Sequence, residues 1–366
     1  SVTGIRTRGF VVMRTKRMGI VEKEEDEEKE EEDDVDYIMY VDIMVNDANA
    51  ELLRRDVFAI IRTVRSSWKE KDLRLKVFND GITNKIVGVY DDGVGGDGVD
   101  GMLLLRIYGE NTDLLIDRDA EMRNLTRLHA AGCCPPLHAR FNNGLCYGYA
   151  VGICPTAGSV TSEPIYRLTA TMMARIHSIR AKPGQPTDPC LFTVFHRWLD
   201  MVPESFADTK KNDRYRKFIP KIKTLRTEVE VLERHLVDLD SPVVFCHNDL
   251  LLNNIVYNKS EGTVTFIDYE YAAFNYQAFD IGNHFAVYCC IEEPNYRGYP
   301  KRRYKKRWLR EYLAALHAET GRGVTATELR HLYVQVNSFI PAAHLFWAVW
   351  GLIQSYHSDI GFDYLG

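Results

Sequence analysis

Short apolar runs between polar turns, and longer stretches with apolar residues three and four apart, follow one another along the chain; the first predict strands and the second one-sided helices. Strands are predicted at Tyr37 to Val45, Leu73 to Phe78, Lys85 to Tyr90, Met102 to Tyr108, Leu137 to Phe141 and Leu145 to Ala150. Asp47 or Asn49 can cap a helix to about Ser67, with Leu53, Val57, Ile60, Ile61 and Val64 on one face, and Asp117 to Ala131 is a second helix. From Glu163 the pattern turns helical, with Ile165, Leu168, Met172, Ile176 and Ile179 as a core stripe and His177 as a core histidine. Lys221 to Leu239 and Lys301 to Leu316 are further helices. The last has a basic face opposite Trp308, Leu309, Tyr312 and Leu316.

Between those two helices lies a different texture. Val243 to Cys246, Ile255 to Tyr257 and Thr263 to Ile267 read as short buried strands, and NKSEG at 258–262 is a hairpin connection that pairs the last two antiparallel. Each polar cluster follows a strand end, and the hairpin brings Asn254 and Asp268 towards one another. Phosphoryl transfer needs a carboxylate beside the attacking hydroxyl and hard oxygen ligands for Mg²⁺ on the nucleotide phosphates. Asp249 suits the first role, and Asn254 with Asp268 the second. In the protein-kinase signature a His-x-Asp loop is followed by a metal-binding Asn and then a metal-binding Asp after a strand; His247, Asp249, Asn254 and Asp268 fill that order. His247 is expected to orient the loop by hydrogen bonds rather than to move protons. Arg106, flanked by Leu105 and Ile107 on a strand, calls for an anion.

HNDLLLNN at 247–254 followed by FIDYEYAAFNYQAFDIGNHF at 266–285 resembles the choline/ethanolamine kinase family, the ethanolamine branch in particular, which shares LL after the HND. FNDGITNKIVG, LLRIYG, FNNGLCY and HLFWAVWGLIQ extend the resemblance from about Val41 to the C-terminus. It implies an α+β, protein-kinase-like fold of two lobes: a small antiparallel-sheet lobe at 37–150 that binds ATP, and a larger, mainly helical lobe at 151–366 for catalysis and substrate. Arg106 then takes the nucleotide phosphates in place of the usual kinase lysine, facing Asp268 across the cleft and paired with Glu121. Gly81, Thr83 and Asn84 cover the phosphates from a loop that by itself reads only as a hairpin turn. Trp347 and Trp350, three apart on a helix, with Tyr364 and Glu270, belong to the substrate; aromatic faces hold an ammonium group by cation-π attraction. The implied reaction is ATP- and Mg²⁺-dependent phosphorylation of ethanolamine, with choline the alternative. Three departures stand out. Gly148 stands where the family carries Glu, which would loosen the hinge; Val287 stands where an acidic residue is expected near the amine; and relatives run on past the position of Gly366.

Composition alters this picture at the N-terminus. Glu22 to Asp34 holds eleven carboxylates against Lys23 and Lys29, so the −5 of the whole chain conceals a net +4 outside that run. Such a run has no apolar face, and 1–36 is expected to be a disordered tail, basic and then acidic. The eight cysteines include two adjacent pairs but no CxxC, which argues against a zinc ribbon or redox motif and for reduced thiols in the cytoplasm. No apolar run reaches the length of a membrane helix, so stable insertion is not expected; nor is nucleic-acid binding, while the oligomeric state stays open. Two rival readings remain: a non-catalytic nucleotide binder of the same fold, and an iron site built from His247, Asp249 and His284, which leaves Asn254, Asp268 and Arg106 without a role.

Overall fold

A computed structural model of the chain describes residues 38–78, 84–92, 101–109, 116–289, 296–358 and 363–365. Gly81 and Thr83 of the expected phosphate loop lie outside the described residues, as do the tail to residue 37 and the Gly/Asp-rich stretch 93–100.

The first lobe is a sheet with two helices inserted between its strands, one after the first strand and one after the fourth. Strands β1 (Met39–Val41), β2 (Leu73–Phe78), β3 (Asn84–Asp91), β4 (Leu103–Tyr108), β5 (Leu137–Phe141) and β6 (Gly144–Gly148) lie in the order β1-β5-β6-β4-β3-β2. All neighbours pair antiparallel except β1 with β5. The opening strand is shorter than Tyr37 to Val45, because Val45 leaves the ladder and instead exchanges two hydrogen bonds with the Asn143 side chain. Helix α1 (Ala50–Val64) begins where Asn49 caps it by accepting from the Leu52 amide at 2.9 Å, and it buries Leu53, Val57, Phe58, Ile60 and Ile61 against the sheet. Helix α2 (Arg118–Ala130) is capped likewise by Asp117. Gly144 cannot be replaced cheaply: a Cβ there would lie 2.1 Å from the Arg106 carbonyl. The strand that carries Arg106 therefore needs a glycine beside it.

The second lobe is helical, with α3 (Glu163–His177), α4 (Cys190–Met201), α5 (Thr209–Phe218), α6 (Ile222–Val237), α7 (Gln277–Ala286), α8 (Arg302–Leu316) and α9 (Ala326–His357). Its apolar core, which includes Trp198, Phe279, Phe285 and Trp308, is a cluster separate from that of the sheet lobe. The face of α3 that goes inward is wider than the stripe the spacing predicts, of which Ile165 and Ile176 are buried, as is the expected core histidine His177. Ile165, Tyr166, Thr169, Ala170, Met173 and His177 are buried, while Leu168 and Met172 are only half-buried. The cause is that α3 packs against α8 and also against the short strands at 243–246 and 263–266, so the buried arc is wider than one stripe. In α8, Lys305 is buried against Asn337 and Tyr299 rather than belonging to the solvent-facing basic side.

Two short ribbons carry the polar clusters. β8 (Ile255–Asn258) pairs antiparallel with β9 (Thr263–Phe266), the expected hairpin. β7 (Val243–Cys246) pairs instead with β10 (Ala273–Tyr276), a strand that the apolar pattern does not single out because aromatic residues there run straight into α7. Helix α9 is longer than the C-terminal segment suggests. By length and composition it could cross a membrane, with mean hydropathy 1.4 in its most apolar window, but 56% of that window is buried inside the fold, where it packs along α7.

Candidate active site

The loop after β7 and the loop after β9 approach each other because of the hairpin between them. Ile255 lies opposite Phe266, and the Ile267 amide donates to the Asn254 carbonyl at 3.0 Å, so Asn254 and Asp268 emerge side by side. Asn254 is buried, and its Nδ2 donates to the Asp249 carbonyl at 2.8 Å, which fixes Oδ1 on the other side of the amide. His247 donates from Nε2 to the Ile267 carbonyl at 3.0 Å, while Nδ1 faces the Asp249 amide at 3.3 Å. Burial lowers its pKa, in keeping with the neutral ring that this donor-and-acceptor pattern requires. Both nitrogens of His284 are also engaged, with the Leu250 carbonyl and the Tyr288 hydroxyl. The His247, Asp249 and His284 iron site is therefore ruled out by geometry.

Two residues in the loops adopt left-handed backbone: Asn248 with φ 66° and Asp268 with φ 64°. A non-glycine residue there costs on the order of 1 kcal/mol or more and persists only where its surroundings hold it. Asn248 is held by α7, since Asp280 accepts from the amides of His247 at 3.0 Å and Asn248 at 2.7 Å. Asp280 also takes His177 Nε2 at 2.9 Å, and His177 Nδ1 meets the Tyr312 hydroxyl at 2.7 Å. Burial opposes the Asp280 charge, but the hydrogen bond and charge of His177 keep its carboxyl below the usual range. His177, Asp280 and Cys246 stand close enough to share a metal ion. Asp280 is already saturated, both His177 nitrogens are used, and burial holds Cys246 as a thiol, so the cluster is a structural network.

Across the cleft, Arg106 is buried on β4. It pairs with Glu121 of α2, donates to Asp268 Oδ1 at 3.1 Å and lies 3.8 Å from Glu270. Its Nε has no hydrogen-bond partner among the described residues. Arg118, which the sequence reading passed over, joins this cluster through Glu121 at 3.0 Å and Glu270 at 3.9 Å. A single arginine at the start of a helix carries no signal by itself; only the fold brings it here. Asn84 Nδ2 reaches Glu270 Oε2 at 3.2 Å, so Glu270, expected with the amine, is held by the cations of the phosphate side. Burial, then the Asp268 charge, pushes the Glu270 carboxyl up to about 7 against the pull of Arg106 and Arg118. Asp249 is likewise raised well above the usual carboxylate range by burial and by Asp268, Glu270 and Asp280.

The aromatic residues form a third group on the α9 side. Trp347 and Trp350 stand edge to face at 5.7 Å, Tyr364 lies 5.8 Å from Trp350, and Tyr271 lies 5.3 Å from Trp347. All four are half-buried. Both indole N–H groups point inward, Trp347 to Asn283 Oδ1 and Trp350 to the Tyr271 hydroxyl, each at 2.9 Å. Gly148 ends β6 with its amide on the Pro136 carbonyl at 2.9 Å, and a Cβ there would press on Pro136 at 3.1 Å. The strand end is thus tied down rather than loose.

Against known proteins, the family model described as choline/ethanolamine kinase matches residues 75–366. The chain belongs to the choline/ethanolamine kinase family. It is 40% identical over 328 residues to ethanolamine kinase 1 of Mus musculus, covering 89% of each chain. With ethanolamine kinase 2 of the same species it is 44% identical over 306 residues, 84% of this chain and 76% of the relative. Among solved structures, the Plasmodium vivax ethanolamine kinase superposes with a TM-score of 0.74 at 21% identity, over 87% of this chain and 86% of that one. The Cryptosporidium parvum choline kinase gives 0.68 at 21% identity, over 84% and 90%. The sheet lobe and helical lobe are thus the kinase-like fold of this family.

Proposed function

We propose that the chain transfers a phosphoryl group from ATP to the hydroxyl of ethanolamine in a Mg²⁺-dependent reaction, with choline as the alternative amine. The product, phosphoethanolamine, opens the CDP-ethanolamine route to phosphatidylethanolamine. What carries this reading is the 40% identity with an ethanolamine kinase over 89% of both chains. A cytoplasmic setting, without nucleic acid and without an inserted membrane segment, goes with it.

The donor set fits a divalent cation. Burial and the Asp268 charge raise the proton affinity of Asp249 and Glu270, and a cation among the three carboxyl groups relieves that repulsion. Asn254 Oδ1 and the Asp268 carboxylate are the hard oxygens that would hold Mg²⁺. When bound, the ion neutralises charge on the nucleotide phosphates. Arg106 offers a buried guanidinium with its Nε unpartnered, suited to a phosphate oxygen, and Glu121 keeps it aimed. Asp249 accepts a hydrogen bond from the substrate hydroxyl and takes its proton as the phosphoryl group leaves the nucleotide. His247 holds the Asp249 amide and so orients the loop. Trp347, Trp350, Tyr271 and Tyr364 offer ring faces to the ammonium group.

A phosphotransfer assay with ethanolamine, choline and no amine tests the reading. ATP turnover is expected to rise strongly with ethanolamine and less with choline. Equal and negligible turnover in all three arms would overturn it in favour of a nucleotide binder that does not catalyse.

A further inference from the structure

Two hydrogen-bonded arms run from the aromatic wall to a single residue, Asn248, the neighbour of Asp249. In the first, Trp347 Nε1 donates to Asn283 Oδ1 at 2.9 Å, and Asn283 Nδ2 donates to the Asn248 carbonyl at 3.0 Å. In the second, Trp350 Nε1 donates to the Tyr271 hydroxyl at 2.9 Å, and the Tyr271 carbonyl accepts from Asn248 Nδ2 at 2.9 Å. The carbonyl of the first arm belongs to the peptide that joins Asn248 to Asp249.

Burial alone does not demand these bonds. Both tryptophans are half-exposed, and an indole N–H at such a site can be satisfied by water at little cost. Both are directed inward instead. Asn248 itself leaves no polar atom loose: its amide is on Asp280 at 2.7 Å, and its Oδ1 accepts from Asn275 at 2.8 Å. With φ at 66° it sits in a backbone state that only such pinning maintains. A residue held at every polar atom cannot shift alone, so a movement of either indole is passed to the peptide that aims the carboxylate.

We propose that Asn248 and Asn283 are positioning residues that couple the amine pocket to the base: an ammonium group settling against Trp347 and Trp350 draws Asp249 into its working position. The proposal rests on the reading of Asp249 as base and of the two tryptophans as the amine wall. It assigns the indole N–H groups a function distinct from that of the ring faces.

Steady-state kinetics at saturating ATP, with ethanolamine varied, separates the two functions. Trp347→Phe keeps an aromatic face and removes the donor; Tyr271→Phe breaks only the bond to Trp350. Asn248→Gly keeps the left-handed backbone, which glycine adopts freely, and cuts the side-chain arm. Each is expected to lower kcat by about tenfold or more while the ethanolamine KM changes by less than about threefold, the mark of a misplaced catalytic group rather than a lost binding contact. A raised KM with unchanged kcat in Trp347→Phe and Tyr271→Phe would overturn the proposal, leaving the tryptophans as walls only. So would a lowered Tm with both constants unchanged. If Asn248→Gly does not fold, the two phenylalanine variants decide by themselves. A wild-type protein with no amine-dependent turnover would instead remove the kinase reading, and the coupling with it, whereas active wild type with unaffected variants refutes the coupling alone.

Discussion

Asp249 and Asp268 are the same residue type in opposite surroundings. Asp249 is buried and its proton affinity is raised; the Asp268 side chain is 35% exposed and ion-paired to Arg106. Their substitutions should therefore differ. Asp249→Asn keeps the shape of the loop and is expected to cut kcat by roughly 10² or more while Mg·ATP affinity stays near wild type, the scale of a lost general base. Asp268→Asn is expected to raise the Mg²⁺ concentration needed for half-maximal rate and to weaken nucleotide binding, since an amide is the poorer ligand for a hard cation. Titrations of rate against Mg²⁺ and of nucleotide binding check both. Near-normal kcat in Asp249→Asn would remove it as base. At this scale the sequence was most informative: His247, Asp249, Asn254 and Asp268 were legible from their order and spacing. The partners of Glu270 were not, because Asn84, Arg106 and Arg118 of the other lobe are more than a hundred residues away.

Among the elements, α7 does more than pack. Over two turns it presents Asp280, Asn283 and His284, all fully buried, to the backbone of 247–250. Asp280→Ala is expected to leave two buried amides, those of His247 and Asn248, without acceptors, and each such orphan costs about 1–3 kcal/mol. The melting temperature should fall clearly, and kcat should fall in the surviving folded protein as the loop loses its anchor. A variant with unchanged Tm would contradict the anchoring role. Polar residues three and four apart in an otherwise apolar helix were the available signal for α7. That signal says such residues are bound to something, but not to what. For α3 the stripe pointed to only part of the buried face, because a helix covered on two sides buries more than one ridge.

The molecule buries neutral imidazoles in both lobes, and each contributes to its response to acid. Burial lowers His284 from 6.5 to about 4, and His138, which also faces Arg65, from 6.5 to about 4. Between those values the unfolded chain binds protons that the folded one does not. The stability these two groups contribute is therefore full above about pH 6.5, declines as the pH falls towards 4 and levels off below that, while the raised carboxyl of Glu270 works in the opposite direction. For His284 the loss is on the order of 3 kcal/mol. The urea midpoint of His284→Gln should therefore rise relative to that of wild type as the pH is lowered from 7 to 4, and a constant difference between the two would contradict a buried neutral imidazole at His284. Family membership, the order of the sheet-lobe strands and the choice of base and metal candidates were legible in the sequence, because they rest on motifs, on local periodicity and on residues within about twenty positions of each other, whereas α4, α5 and β10 were not singled out. The tertiary structure alone decided which charges meet across the cleft, that Arg118 joins them, that β7 pairs with β10, and that two indoles reach back to Asn248. Those contacts join segments from about thirty to nearly two hundred residues apart, and local periodicity carries no information about which of many polar side chains a folded chain will bring to one point.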